Sequence, residues 1–438
     1  MTEPPDFREA ERLGPAPPGP EPPPGRSFRR LATIDIGPLR RHRDFRLLFI
    51  GQGFSFLGST VTFVAVPYQV YQLTGSSLAV GLLAAAELPA ILVTAFLGGA
   101  LADAFDRRRL VQIAELGLAA GAALLLVNSL VGEPRLWVLF LAGVTSAAFD
   151  GIQRPSLDSL EPRLVEKHEL PAASALGSLR MNVGMIAGPA FGGVLIATVG
   201  LPATYAFDLA TYAFSLVMLS LMRAVPPPPG AERPSVRGIV DGIRYAGSRQ
   251  ELLGTYSVDF IAMFFGMPMA LFPAYADNLG GPEVLGVLYA APAVGSVVVA
   301  LTSGWTAHVH KHGLAVILAA AAWGVAMVGF GLAQTLWVAV VALAVGGGAD
   351  SISGIFRSVI WNQTIPDHLR GRLAGIEQIS WSSGPTLGNL EAGIVATLTS
   401  VRTSIVSGGI LCVVGVAVAA VALPLFRRYD SREFVPPG

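Results

Sequence analysis

The chain has 438 residues, 52% of them hydrophobic and only 14% charged, and its 30 basic and 30 acidic side chains balance to a formal net charge of +0. A soluble domain carries about 25% charged residues, so an ordinary soluble globular protein is excluded, and the balanced charge argues against a nucleic-acid partner. The 50 glycines and 32 prolines follow no three-residue period, which excludes collagen, and the long apolar runs exclude a disordered chain.

Residues 1–43 read as a disordered, Pro- and Arg-rich cytosolic tail; the stretch "PGPEPPPGR" has no apolar core and is not a secretory signal. A membrane-spanning helix needs about 20 mostly apolar residues. Twelve such spans are expected, at 46–72, 77–102, 109–131, 135–160, 171–199, 202–223, 251–277, 283–306, 313–334, 336–362, 372–399 and 403–426. The fold class is therefore an all-α membrane protein made of two six-helix halves, 44–223 and 251–427, followed by a short cytosolic tail at 428–438. The linker 224–250 opens on Pro226–Pro229, and its "VRGIVDGIRYAG" segment is expected to form an amphipathic helix on the membrane surface.

Loop arginines set the orientation. Arg40, Arg41, Arg43, Arg107–Arg109, Arg163, Lys167, Arg223 to Arg249, Lys311, Arg370, Arg372, Arg427 and Arg428 fall on one side, and only Arg135 and Arg402 on the other. The first side is expected to be cytosolic, with both termini, in a multi-pass protein of the cell's inner membrane.

The halves echo each other in sequence. Gly188-Pro189-x-x-Gly192 in span five returns as Gly384-Pro385-x-x-Gly388 in span eleven, and Asp150 in span four as Asp350 in span ten. Duplicated halves are the mark of a transporter that rocks about a central site. Lys167 and Lys311 are the only lysines and neither follows a glycine, so the chain lacks a Walker A loop and no ATP is expected as a partner. The single cysteine, Cys412, and six histidines confined to loops and helix ends leave no expected metal site or cofactor. No H-E-x-x-H or G-x-S-x-G motif supports an intramembrane enzyme.

The segment Gly98-Gly99-Ala100-Leu101-Ala102-Asp103-Ala104-Phe105-Asp106-Arg107-Arg108-Arg109 resembles the loop 2–3 signature of the major facilitator superfamily, departing from it at Ala104 and Asp106. The resemblance implies a cytosolic latch of Gly98, Gly99, Asp103, Arg107 and Arg108, with Arg154 and Asp158 joining from span four. Gly184, Gly188, Pro189, Gly192 and Gly193 resemble the superfamily's antiporter motif in span five. The arginine that many antiporters carry early in span four has no counterpart in "LWVLFLAG". "VPYQVYQLTGSS", "FPAYADNLGG", "GVLYAAPAVGS" and "ALTSGWTAH" resemble the enterobactin-exporter branch over about residues 43–428. The resemblance implies efflux of a siderophore or drug-like amphiphile, with protons as the coupling ion. Import of a small metabolite, lipid flipping and a non-transporting sensor stay open as readings of the same fold.

Charges inside a bilayer are costly and call for a reason. Glu87, Asp150, Arg180, Asp259, Asp350 and Glu391 all fall within spans and are the candidates for substrate or proton coupling. A carboxyl withdrawn from water holds a proton more readily, which suits it to carry one across. The bland alternative for Glu87, Asp150 and Asp259 is a buried carboxylate paired with Arg180 or a backbone donor.

Overall fold

The computed structural model describes residues 35–225, 244–365 and 370–432, with the backbone alone described at 95, 96, 99, 100, 102–104 and 370–381. Among the described residues the regular structure is entirely helical. The long helices are α1 Arg43–Thr74, α2 Ser77–Ala104, α3 Arg107–Leu130 and α4 Leu136–Leu160. The stretch Leu170–Ser220 breaks at Gly200 (φ 82°) into α5 (170–199) and α6 (201–220). The second half holds α7 Gln250–Gly266, α8 Pro282–Thr302, α9 His312–Leu332, α10 Leu336–Thr364, α11 Arg370–Leu398 and α12 Val401–Ala422. Ten described stretches are long and apolar enough to cross a membrane, and one of them contains both α5 and α6. Helix α11 stands where the eleventh span is expected.

Local chemistry explains the tight turns. Gly75 ends α1 in the left-handed conformation (φ 62°), and its N–H reaches Tyr71 O at 2.7 Å. Ser76 then caps α2, its Oγ accepting from Ala79 N at 3.3 Å. A glycine stop followed at once by a serine start needs no longer loop. Span seven departs from the unbroken helix expected. Met267 leaves the helical region (φ −116°, ψ 76°) ahead of Pro268, and the chain resumes in the short helix Phe272–Asp277. The cause is Pro268, which has no N–H and pushes its predecessor out of the helix. Of the amphipathic helix expected in the linker, 244–248 is helical and the rest lies outside the described residues.

The helices turn large apolar side chains outward: Leu301 is 83% exposed, Val421 74% and Trp337 77%. In water such a surface would aggregate; in a bilayer it faces lipid. Trp137 and Trp337 both sit in the first turn of their helices, within a repeated Leu-Trp-Val that opens α4 and α10. Tryptophans at matching helix ends mark the water–lipid boundary on the arginine-poor side.

Glycine replaces side-chain bulk wherever helices meet. Gly184, Gly188 and Gly192 of α5 pack on Phe56, Thr60 and Val61 of α1. Gly384 and Gly388 of α11 pack on α7 in the same way, against Met263 and Phe264. The halves themselves join through α2 with α11 and α5 with α8. A Cβ on Gly193 would stand 2.7 Å from Pro282 O and 2.9 Å from Gly286 Cα, and one on Gly81 would stand 2.5 Å from Asn389 O. Phe63 and Tyr289 add an edge-on ring contact between halves, with centroids 5.5 Å apart. All of these contacts between halves lie toward the arginine-poor end.

At the opposite end a short helix, Gly37–Arg41, is tied to the loop before α5. Arg41 reaches Glu169 Oε1 at 2.6 Å, and His42 bonds the other carboxylate oxygen. Burial draws the Glu169 carboxyl up. The His42 hydrogen bond, a backbone hydrogen bond at Glu166 and the Arg41 charge outweigh it, so the group is held below its ordinary value. A carboxylate so held stabilises the fold above its unfolded-state pKa and ceases to do so as pH falls through the folded one. Glu169→Gln is therefore expected to speed proteolysis of the segment before Arg43 at neutral pH, and acidification is expected to do the same to the wild type alone. Equal cleavage of both proteins at neutral pH would show that Glu169 does not hold this helix.

Candidate functional site

A crevice of about 400 Å³ opens among α1, α4 and α5. It runs from Glu161, beyond the arginine-rich end of α4, to Ser59, midway along α1. Its lining is polar for a membrane interior: Asp150, Asp158 and Glu161 face it with Arg154 and Arg180, beside Gln52, Ser55 and Gln153.

The helices fix these groups by simple spacing. Asp150, Arg154 and Asp158 fall four residues apart, on one face of α4. Arg154 Nε lies 3.9 Å from Asp150 Oδ2, and the Asp150 side chain is 57% exposed, to the crevice. Arg180 rises from α5 and donates Nη2 to Glu161 Oε1 at 2.8 Å, with its guanidinium 6.0 Å from the Phe49 ring centre. Arg180 is thus engaged by Glu161 and not by Glu87, Asp150 or Asp259, the partners the sequence offered for it. A site with two guanidinium groups and three carboxyls at its mouth suits a molecule that is polar and charged at one end; Phe56 and Met181 supply an apolar wall.

The second half carries its own cluster. Arg357 of α10 pairs with Asp259 of α7, both buried, and its Nη2 lies 3.8 Å from Asp350 Oδ1. Arg357 therefore joins two of the candidate carboxylates. Glu87 stands apart on α2: a Cβ on Gly143 of α4 would lie 2.7 Å from its Oε1. Glu391 stands beside Leu390 and Gly393, whose backbones meet α2 at the joint between halves.

The latch residues divide. Gly98 packs on Gly151 and Pro155 of α4. Arg107 is 3% exposed and donates Nε to Ser159 Oγ at 2.9 Å. Arg108 turns elsewhere, donating to Leu219 O at 2.7 Å and Ser220 O at 2.9 Å, where its charge meets the carbonyl end of α6. Nothing is described of the Gly99 and Asp103 surroundings.

Glu115, an acidic residue within span three, escaped sequence reasoning. Glu115 of α3 is 0% exposed, and Gln52, Ser55, Gln153 and Ser215 all donate to its Oε1, at 2.6, 2.9, 3.1 and 3.0 Å. Its partners come from three other helices, so no local motif announces it. The available signal was Gln52 and Gln153, two amides placed inside apolar spans.

A family model described as transmembrane secretion effector matches residues 33–436. The enterobactin exporter EntS of Citrobacter koseri is 29% identical over 412 residues, covering 94% of this chain and 99% of its own length. EntS of Shigella boydii serotype 18 is 30% identical over 403 residues, covering 90% and 95%. Among solved structures, a POT family transporter in complex with 5-aminolevulinic acid matches with a TM-score of 0.72 at 11% identity, over 88% of this chain and 97% of that one. A bacterial homologue of the human lysosomal transporter Spinster, inward-facing and unoccupied, matches with a TM-score of 0.68 at 15% identity, over 88% and 98%. Identities this low speak to the fold alone.

Proposed function

The chain belongs to the transmembrane secretion effector family within the major facilitator superfamily, on the branch of the enterobactin exporters, and from that membership and the crevice we propose that it exports a siderophore or similar amphiphile by alternating access. The carrying observation is the asymmetry of the bundle. The halves are joined by glycine contacts near the arginine-poor end, while the charged crevice opens toward the arginine-rich end. With arginine-rich loops on the cytosolic side, this is the arrangement of a transporter ready to load from the cytosol.

Protons drive the cycle in this reading. Asp150 is the carboxyl that meets cargo, since it alone of the candidate carboxyls lines the crevice; Glu87, Asp259, Asp350 and Glu391 are the further coupling candidates. Arg180 and Arg154 attract the acidic oxygens of the cargo. Gly98, Gly99, Asp103, Arg107, Arg154 and Asp158 form the latch of the alternate state, in which the arginine-rich end closes. Gly184, Gly188, Pro189 and Gly192 keep α5 seated on α1 while the halves move, and Gly193 carries the joint to α8.

Inside-out vesicles containing the protein are expected to accumulate enterobactin when a pH gradient, acidic inside, is imposed, and to stop when a protonophore collapses it. Uptake indifferent to the protonophore removes proton coupling, and no uptake removes siderophore export. Asp150→Asn, Glu87→Gln and Asp259→Asn are each expected to weaken gradient-driven uptake; full pumping by all three would dismiss these residues as carriers.

A further inference from the structure

We infer that Glu115 takes up and releases the coupling proton of the first half, communicating with the crevice through the wall formed by Gln52, Ser55 and Gln153. The inference rests on the proton-coupled reading above and names a residue that reading does not contain.

Three of the four side chains that donate to Glu115 also line the crevice, namely Gln52, Ser55 and Gln153. The carboxyl is therefore one side chain away from the space where cargo and water enter. The fourth donor, Ser215, holds it from behind on α6. Every donor is neutral. All four converge on Oε1, and Oε2 is buried with no hydrogen-bond partner among the described residues.

The groups that face Glu115 bear this out element by element. Helix α1 presents Gln52 and Ser55. Helix α4 presents Gln153, with Asp150 one turn away. Helix α6 presents Ser215, and farther along the same helix Asp208, bonded by Thr62 and Thr211, and Tyr212, bonded to Ser59. No described arginine or lysine pairs with it; Arg107 and Arg108 lie two turns toward the end of α3, engaged with Ser159 and with the end of α6.

This arrangement differs in kind from the ion-paired carboxyls. Glu161, Asp259 and Glu169 each have an arginine within ion-pair distance, and a cation so placed holds a carboxyl ionised. Glu115 has a cage of neutral donors that steadies an anion on Oε1, and a bare Oε2 that is free to bear a proton. A group meant to change protonation needs both states to be tolerable. Asp208 is also buried and bonded only by neutral threonines, Thr62 and Thr211, but neither of these lines the crevice. The step itself is a proton transfer: the Oε2–H bond breaks as a water entering from the crevice takes the proton and becomes hydronium, and the charge left on the carboxylate is steadied by the four donors on Oε1.

The test uses the full chain in liposomes. Infrared difference spectra between acidic and alkaline buffer are expected to contain a protonated-carboxyl band that Glu115→Asp shifts and Glu115→Gln removes. If no titrating band responds to either substitution, the inference is overturned; should the glutamine variant fail to assemble, the aspartate variant decides alone. With enterobactin as the probe, a one-unit pH gradient is expected to drive about tenfold accumulation by the wild type, the factor one pH unit is worth to a single proton. The glutamine variant is expected only to equilibrate it, with accumulation restored in Glu115→Asp. Equal accumulation by wild type and Glu115→Gln would overturn the role of Glu115 and leave export standing. A wild type that does not move enterobactin would remove the export reading, and the infrared titration would still decide Glu115.

Discussion

Gly193→Val is expected to abolish most gradient-driven export while the protein still inserts in the membrane. Gly193 ends the glycine row of α5, and it alone in that row faces the other half. A Cβ there meets Pro282 O and the Gly286 backbone of α8 at 2.7–3.0 Å. Those are main-chain atoms of a helix, so no side chain can swing aside. Overpacking of this kind costs about 1–3 kcal/mol, and each 1.4 kcal/mol is about a tenfold change in an equilibrium. The cost falls on one conformation only, the one with the arginine-poor end shut, so the substitution shifts a population without unfolding either half. Gly81 and Gly393 make the mirror-image joint of α2 with α11, against Asn389 O and Ser77 O. Gly81→Val is expected to give the same defect. The check is disulfide cross-linking of cysteines placed at Leu78 and Leu390: high yield in the parent, low yield in either valine variant. Cys412, the one native cysteine, is fully buried. Unchanged cross-linking and unchanged export would show that the glycine joint is not what closes this end.

Arg357→Ala is expected to be among the most destabilising single substitutions in the second half. Asp259 and Arg357 are 6% and 7% exposed, deep between α7 and α10. Removing one partner of a buried ion pair leaves an uncompensated charge and costs about 3–5 kcal/mol, whereas replacing both by apolar or neutral groups is often near neutral. The double variant Asp259→Asn with Arg357→Met is therefore expected to regain most of the melting temperature that Arg357→Ala loses in detergent. It is not expected to regain the coupling role proposed above for Asp259. If Arg357→Ala melts with the wild type, the pair holds nothing together.

Much of the architecture was legible because its causes are local. A membrane span announces itself through about 20 apolar residues, and a turn through Thr74-Gly75-Ser76. The matching Gly-Pro motifs pointed to two related halves, and the packing of Gly184 and Gly188 on α1 and of Gly384 and Gly388 on α7 gives that repeat its physical meaning. The repeated Leu-Trp-Val of α4 and α10 was equally readable and passed unremarked. The break at Met267 was hidden because a proline in a membrane helix is often tolerated, and nothing local to Pro268 says that this one ends the helix.

The site was less legible because its chemistry is assembled across helices. Position along a span gives depth, but not facing. Arg180 was correctly placed inside span five, yet its partner, Glu161, lies in the turn after α4. Arg108 sits in a motif beside Arg107, yet one helical step turns it to α6 rather than α4. Glu115 needed three other helices to gather its donors before it differed from any other glutamate.

The central claim is that the two ends of the bundle open in turn. Electron–electron double resonance on the full chain in liposomes tests it, with one label pair at the arginine-poor ends of α2 and α11 and another at the arginine-rich ends of α4 and α10. The account expects the first pair to be close and the second far apart in the unloaded protein, with the two distances changing in opposite directions when enterobactin and a pH gradient are supplied together. Distances that stay fixed under every condition, or that lengthen together, would contradict it.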